Sequence, residues 1–394
     1  MRRITFFSGN RAEFGLQRPI IEEAMKHRDL DVSVLISGAH LDPFFGKTIQ
    51  EVAETGIKVS GTIDIPDISR DIRYTSLSIA KVIEGISNFF LESQPSIFVV
   101  YADRFEGFAA LVASTQMNIP TAHIEGGDLT EGGALDDSIR HAMTKLAHLH
   151  FVTNSDSMNR VLKLGEEPWR VHNVGFPAID LIQQNKFASR DEIVHQLGID
   201  LVKPLVVFTQ HSITIEPDQA REQMQECVSA MRCLMNLGIQ VVLTYPNNDD
   251  GSHDIIEEIE NLKQENHSLL FVRKSLGRHL YHGLLALARD NNLKVVCAGN
   301  SSSGIKETPA FGCPTVNIGN RQASRLRGLN VIDTVCESEE IVSSIKKALF
   351  DEDFRELCRG TPNPYFQGGA SQKIVEVLRN IPLDKKLLMK KMTY

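Results

Sequence analysis

Short apolar runs alternate with longer amphipathic stretches along most of the chain. Residues 4–7, 31–36 and 96–101 read as buried strands, because apolar and β-branched side chains follow one another without helical spacing. Residues 16–25, much of 43–55, 74–91 and 105–117 place apolar side chains three and four apart and read as helices. Strands follow at 120–124, 148–152 and 170–174, with helices at 137–147 and 156–164. A polar stretch, 175–191, interrupts the pattern and reads as an interdomain connection. The alternation then restarts, with strands at 205–209, 239–244, 268–272, 294–297 and 315–318. Helices are expected at 219–237, 254–264, 281–291, 304–311 and 338–350. The pattern predicts two α/β halves, each a parallel sheet with helices on both faces. Two such halves facing each other leave a cleft at the carboxyl ends of their strands.

One stretch, residues 123–141, concentrates the chemistry. It holds Glu125, Asp128, Glu131, Asp136 and Asp137 together with Gly126, Gly127, Gly132 and Gly133. Glycines let a backbone approach a ligand closely, and carboxylates beyond a strand's carboxyl end stand where open α/β sheets place their sites. Capping of the next helix accounts for Asp136 or Asp137. It does not account for Glu125, which follows an apolar strand directly.

Composition narrows the class. At 394 residues, the chain has room for two cores. A net charge of −8 argues against nucleic-acid and acidic-membrane partners while leaving room for a local anion site. The six cysteines (227, 233, 297, 313, 336 and 358) show no C-x-x-C pair and no metal-ligand spacing, so no metal is expected, and Cys297 and Cys313, in apolar surroundings, read as reduced core thiols. No apolar run approaches the roughly 20 residues that span a membrane, and the amino terminus lacks a signal-peptide core. A cytoplasmic chain is expected.

Several loops could line a cleft. Residues 8–15 follow the first strand and open a helix, a geometry that presents backbone N–H groups to an anion. Arg11 adds a fork suited to phosphate, or is an ordinary surface arginine. The segment lacks G-x-G-x-x-G, which argues against a nicotinamide cofactor. Asp103 caps the helix from 105 or acts as an acid–base group, and gains weight from Glu125 on the next strand. His211 ends the first strand of the second half, as a hydrogen-bonding residue or a catalyst. Residues 299–304 carry three serines between two glycines at a helix start, the strongest anion signal in the chain. Glu307 is near enough in sequence to meet a ribose beside that anion. Residues 245–252 and 321–327 are further loop candidates.

The segments SGNRAEFG (8–15), DRFE (103–106), HIEGGD (123–128), DDSIRHAMTKLAHLH (136–150), TQHSIT (209–214), YPNNDDGS (245–252), GNSSSGIKE (299–307) and GNRQ (319–322) together resemble the hydrolysing UDP-N-acetylglucosamine 2-epimerases. These enzymes serve sialic-acid and related nonulosonic-acid pathways. The resemblance implies a GT-B arrangement of two Rossmann-like domains with the active site in the interdomain cleft. The domains would be 1–182 and 183–365, with a helix within 366–394 packing back on the first. It also implies a homodimer or homotetramer that binds UDP-GlcNAc and UDP and needs no cofactor.

The implied reaction is UDP-GlcNAc plus water giving N-acetylmannosamine plus UDP. UDP leaves by anti elimination to 2-acetamidoglucal, and water then adds. The resemblance implies Asp103, Glu125 and Asp136 as the acid–base carboxylates and His211 as the histidine near the diphosphate. It implies Arg11, Ser301 and Ser302 for phosphate, Glu307 for ribose, and Asn247, Asp249 and Arg321 near the site. Residues 126–128 differ from the non-hydrolysing branch, which favours hydrolysis. The loop 129–134 is longer than in some sialic-acid enzymes and leaves Asp137 as the alternative to Asp136. A UDP- or GDP-2,4-diacetamido-2,4,6-trideoxyhexose, on the legionaminic-acid route, is the alternative substrate. A GT-B glycosyltransferase and a silent nucleotide-sugar sensor are the alternatives from other classes.

Overall fold

A computed structural model describes residues 1–41, 48–65, 73–130, 135–213, 216–247 and 251–394. The chain forms two compact units. The first comprises Met1–Leu129, Leu135–Asp180 and Tyr365–Tyr394; the second is Leu181–Pro364 with Thr130.

The first unit holds seven parallel strands: β1 (Arg2–Ser8), β2 (Leu30–Ser37), β3 (Val59–Ile63), β4 (Ile97–Tyr101), β5 (Thr121–Ile124), β6 (Leu149–Val152) and β7 (Val171–Asn173). Their order is β3-β2-β1-β4-β5-β6-β7. Six helices follow the strands: α1 (Arg11–Met25), α2 (Ile49–Glu54), α3 (Tyr74–Ser93), α4 (Phe105–Gln116), α5 (Leu135–Leu146) and α6 (Ser155–Lys163). Asn10 and Asn154 cap α1 and α6 by accepting the backbone N–H groups of Glu13 and Ser157. β4 is apolar on both faces, in one cluster around Ile4, Val99 and Ile124 and another around Phe98, Val100 and Met143, whereas β5 adds only Ala122 and Ile124 to the first. Two-sided burial is why β4 reads as an unbroken apolar run.

The second unit repeats the plan with β8 (Leu205–Thr209), β9 (Gln240–Thr244), β10 (Leu270–Arg273), β11 (Val295–Gly299), β12 (Thr315–Ile318) and β13 (Val331–Thr334). The order β10-β9-β8-β11-β12-β13 is the one shown by the first six strands of the first unit. Strand order therefore reverses twice, at β1/β4 and at β8/β11. Such switch points are where doubly wound sheets take their ligands.

Three differences from the sequence pattern have local causes. β3 and β13 are half-buried edge strands with polar residues and a glycine, too weak a pattern to stand out. The helix expected at 304–311 breaks into Ser303–Lys306 and a 3-10 turn, Thr308–Phe311, at Pro309. The polar stretch 175–191 contains the helix Ala178–Gln183, and a further helix, Arg190–Leu197, begins at its end. No helix among the described residues is long and apolar enough to cross a membrane.

The segment Tyr365–Tyr394 closes the first unit. Its helix Ala370–Asn380 packs on α1. Beyond that helix, the fully buried Arg170 donates to the carbonyls of Leu387 (2.7 Å), Lys386 (2.8 Å) and Met389 (3.3 Å) as well as to His148 (3.1 Å). Its guanidinium stacks 4.1 Å from the Trp169 ring. Nearby, burial alone would raise the Glu166 carboxyl, but hydrogen bonds from His150, Lys145 and Lys390 bring it down to about 2.

Replacing the Arg170 anchor strands several buried carbonyls. Arg170→Leu is expected to cost about 3–5 kcal/mol in urea unfolding and to expose residues 384–394 to protease. A wild-type midpoint would show that the tail is held by other contacts. A second expectation concerns acid. Burial holds His123 down to about 3 and His40, His148 and His150 to about 4. Burial also raises Glu13 to about 8 and raises Glu106, so these two carboxyls work in the opposite direction. Near pH 5 the unfolded chain protonates all four imidazoles, whereas the folded unit keeps them neutral and retains a proton on Glu13, with the rise at Glu106 acting in the same direction as Glu13. The unfolded state binds more protons, so stability falls as pH drops from the ordinary imidazole value toward 4. The expected slope is about 2–3 kcal/mol per pH unit near pH 5, followed by the fluorescence of Trp169, the single tryptophan. A flat profile would refute the neutral assignment of these histidines.

Candidate active site

In the first unit, the site grows from the turns after β4 and β5. β4 ends at Tyr101, and Ala102 takes a left-handed backbone, φ 56°. Its N–H donates to the Ile124 carbonyl (3.0 Å), which ties the turn to β5. β5 ends at Ile124, and Glu125 is left-handed in its turn, φ 67°, with its N–H on the Phe151 carbonyl (2.9 Å) of β6. Two successive strands thus end on non-glycine residues in a region that costs about 1–2 kcal/mol each. Strain of this kind persists only where the surroundings fix it, and it gathers at functional sites.

These turns deliver carboxylates to one guanidinium. Arg140, almost wholly buried on α5, forms an ion pair with Asp103 and lies 3.9 Å from Asp128. Glu125 is buried in the turn that leads to Asp128. Asp136 and Asp137 occupy the first turn of α5, four and three residues before Arg140, and so share its side of the helix. Asp137 is buried and Asp136 half-buried. The acid–base carboxylates expected from the sequence therefore stand on three segments that Arg140 draws together.

Arg11 is placed differently. It lies at the surface, paired with Glu51 at 2.8 Å. The turn before it is internally satisfied: Gly9 N–H donates to Glu13 Oε2 (2.8 Å), and Glu13 N–H to Asn10 Oδ1 (2.9 Å). The structure does not bring Arg11 into the Arg140 cluster.

In the second unit, the switch point between β8 and β11 is tied by reciprocal hydrogen bonds. His211 N–H donates to Asn300 Oδ1 (2.7 Å), and Asn300 Nδ2 donates back to the His211 carbonyl (2.8 Å). Asn247 N–H donates to His211 Nδ1 (3.0 Å), leaving Nε2 as the proton-bearing nitrogen of the neutral ring. Burial holds this imidazole well below its usual range, and the Arg321 guanidinium adds to the effect. Arg321 and Gln322 both donate to the Asn300 carbonyl, at 3.3 and 2.8 Å. The structure thus brings together His211, Asn247, Arg321 and the loop that starts at Asn300. Asp249 lies outside the described residues.

The serine loop begins at Gly299, φ 116°, where a Cβ would collide with the Thr209 carbonyl. Only glycine lets β11 leave the sheet this close to β8. Ser301 and Ser303 hydroxyls lie 3.0 Å apart, and Tyr281 reaches Ser303 at 2.7 Å. Ser302 immediately precedes the short helix Ser303–Lys306 and makes no side-chain capping hydrogen bond to it. Glu307, at its end, accepts a hydrogen bond from His282 Nε2 at 2.6 Å. Burial pushes the Tyr281 hydroxyl well above its ordinary value, so it stays protonated as a donor.

Sequence reasoning did not single out Arg140, Asn300, Gln322, Tyr281 or His282, and it gave Asp128 no role. Arg140 alone carried a signal, its spacing from Asp136 and Asp137. The others serve through tertiary contacts that no local pattern announces.

The family described as UDP-N-acetylglucosamine 2-epimerase matches residues 22–379. A UDP-N,N'-diacetylbacillosamine 2-epimerase (hydrolyzing) from Legionella pneumophila is 30% identical over 390 residues, covering 99% of both chains. A GDP/UDP-N,N'-diacetylbacillosamine 2-epimerase (hydrolyzing) from Campylobacter jejuni is 33% identical over 384 residues, covering 97% of both. The fold is shared with the crystal structure of UDP-GlcNAc 2-epimerase from Neisseria meningitidis bound to UDP-GlcNAc. There the TM-score is 0.81 at 19% identity, with 97% of this chain and 100% of that one covered. Two Rossmann-like sheets of this kind are the GT-B-like architecture. A family match of that length, joined to relatives of that identity, makes this chain a member of the UDP-N-acetylglucosamine 2-epimerase family, and so an enzyme of nucleotide-sugar chemistry.

Proposed function

We propose that the chain is a hydrolysing 2-epimerase of a UDP-linked 2-acetamido sugar. The observation that carries the mechanism is the gathering of Asp103, Asp128 and the first turn of α5 on the buried Arg140, beside the Glu125 turn. Several carboxylates close together repel one another toward the neutral form. Elimination followed by addition needs one group to take a proton and another to deliver one, and several carboxyl groups gathered at one place supply both.

A carboxylate of this set removes the proton at C2, and the C2–H pair becomes the C1–C2 double bond. The C1–O pair leaves with UDP. Water then bonds to C1 through its oxygen as a carboxylate takes one of its protons, and the double-bond pair takes a proton from a carboxylic acid on the opposite face of C2. The product is the free, C2-inverted sugar. The second unit suits the leaving group. Its neutral His211 can donate from Nε2, and Ser301, Ser302 and the N–H groups of the serine loop can hold a diphosphate. Glu307, steadied by His282, can take a ribose hydroxyl. Arg321, which donates to the Asn300 carbonyl at the start of the serine loop, is the cationic side chain offered to phosphate there.

For the sugar, we infer a 2,4-diacetamido-2,4,6-trideoxyhexose, N,N'-diacetylbacillosamine, in place of the GlcNAc expected from the sequence. It is the sugar named for the relatives at 30% and 33% identity, whereas a UDP-GlcNAc 2-epimerase from Neisseria meningitidis is 28% identical. UDP-GlcNAc remains the second reading, supported by that 28% identical relative.

Both readings meet one experiment. Proton NMR in deuterated water is expected to show UDP release and a free mannose-configured diacetamido sugar carrying deuterium at C2. UDP-GlcNAc is expected to react at least about 100-fold less efficiently, a discrimination of some 3 kcal/mol. Protium retained at C2 in a product would replace the epimerase by a transferase, which leaves that bond untouched. Glu125→Gln and Asp103→Asn are each expected to lower kcat by about 10²–10⁴-fold, with UDP affinity by calorimetry unchanged. Wild-type turnover in Glu125→Gln would remove that residue from the chemistry. Ser301→Ala is expected to weaken UDP binding about 3- to 10-fold; unchanged affinity would remove the serine loop from the nucleotide site.

A further inference from the structure

His123 lies in the middle of the first unit's site and takes no part in the reaction steps above. It is fully buried on β5, two residues before Glu125. Its Nε2 stands 2.6 Å from the carbonyl oxygen of Ala102, the residue before Asp103. A carbonyl only accepts, so Nε2 carries the proton. Its Nδ1 stands 3.2 Å from the Thr144 hydroxyl on α5. That hydroxyl also reaches the Arg140 carbonyl, at 3.0 Å. One ring therefore touches the segment of Asp103, belongs to the strand that leads into Glu125, and meets the helix of Asp136, Asp137 and Arg140.

Taking the function proposed above as its basis, we propose that His123 is a positioning residue, which fixes the Asp103 turn, the Glu125 turn and α5 at their working spacing. Three further observations support this. Ala102 is held left-handed by hydrogen bonds to β5 at both ends, its N–H on Ile124 and its carbonyl on His123. Gly126 follows Glu125, and a Cβ there would come 2.9 Å from the Thr144 hydroxyl and 3.2 Å from His123 Nδ1. A side chain at 126 would wedge ring and helix apart. Finally, burial holds the imidazole down to about 3 even though its hydrogen bond to the Ala102 carbonyl works in the opposite direction, so the ring stays neutral and keeps one tautomer. A ring that cannot take a proton at working pH suits positioning, not proton transfer.

Two amide variants separate the arms of the ring. A glutamine amide can stand where Nε2 stands and keep the bond to Ala102, whereas an asparagine amide reaches only as far as Nδ1. His123→Asn is expected to lower kcat by about 30- to 100-fold, as small misplacements of catalytic groups do, with UDP affinity within about twofold. His123→Gln is expected to recover kcat to within about threefold of wild type. Wild-type kcat in a folded His123→Asn would overturn the proposal. So would a folded His123→Gln as impaired as His123→Asn, because the bond to Ala102 would then not be what matters. If His123→Asn does not fold, Thr144→Val tests the helix arm, with loss of kcat at unchanged UDP affinity expected and wild-type kcat overturning it. Nitrogen-15 NMR of the wild-type protein adds an arm independent of turnover: an Nε2-protonated tautomer that does not titrate from pH 5 to 9 is expected, and a titrating ring overturns the assignment. Should the wild type leave both nucleotide sugars untouched, the functional reading fails. A crystal structure of His123→Asn still decides the positioning: loss of the Asp103–Arg140 pair supports it, and an unchanged pair overturns it.

Discussion

A guanidinium taken out of water must be answered by negative charge, and the first unit is arranged around that demand. Burying an ion costs several kcal/mol even after relaxation, so an unanswered Arg140 would be untenable. Its partners arrive from separate segments, Asp103 after β4 and Asp128 after β5. For both to reach one side chain, the chain must turn sharply as it leaves each strand. The left-handed residues at 102 and 125 are where it does so. Strain in the backbone, charge in the side chains and acid–base capacity are thus one arrangement seen at three scales.

The second unit meets a similar demand with neutral groups. Asn300 binds His211 in both directions, through its carbonyl oxygen and its amide nitrogen, and so locks the turn after β8 to the turn after β11. His211 and His123 make an instructive pair. Both are buried and both are kept neutral by burial, yet His123 spends its proton on the protein's own backbone. His211 has its Nδ1 occupied by the Asn247 N–H and so keeps its Nε2 proton for other use. The same residue under the same desolvation becomes a strut in one unit and a donor in the other. The difference lies in which ring nitrogen the backbone engages.

Much of this was legible in the chain. Strands buried on both faces announce themselves as unbroken apolar runs, and two rounds of alternation gave two α/β halves before any coordinates. Glu125 stood out because capping and solvation could not explain an acid between an apolar strand and two glycines. What stayed hidden depends on tertiary partners. Arg140 looks like one more polar residue on an amphipathic helix until two acids from elsewhere meet it. Asn300 looks like part of a serine-rich cap until His211 is seen on both ends of its amide. Edge strands such as Val59–Ile63 carry too little apolar contrast to be seen. The order of strands, and hence the switch points, is likewise not written in any local window. The chemical roles came from resemblance; spacing alone left Asp103 a cap or a catalyst.

The path of the chain has a consequence for how the molecule is made. The first unit is discontinuous, since Leu181–Pro364 is synthesised between its body and its closing segment. Arg170 waits for carbonyls that lie 216 to 219 residues further along. During translation, the second unit can therefore finish folding while the first still exposes a buried-to-be cation and one side of its sheet. Nascent chains fold as units in the order they emerge, but here the earlier unit is completed later. The interval is a window of vulnerability in which a chaperone or a protease would recognise the open first unit, and the arrival of residues 365–394 closes it.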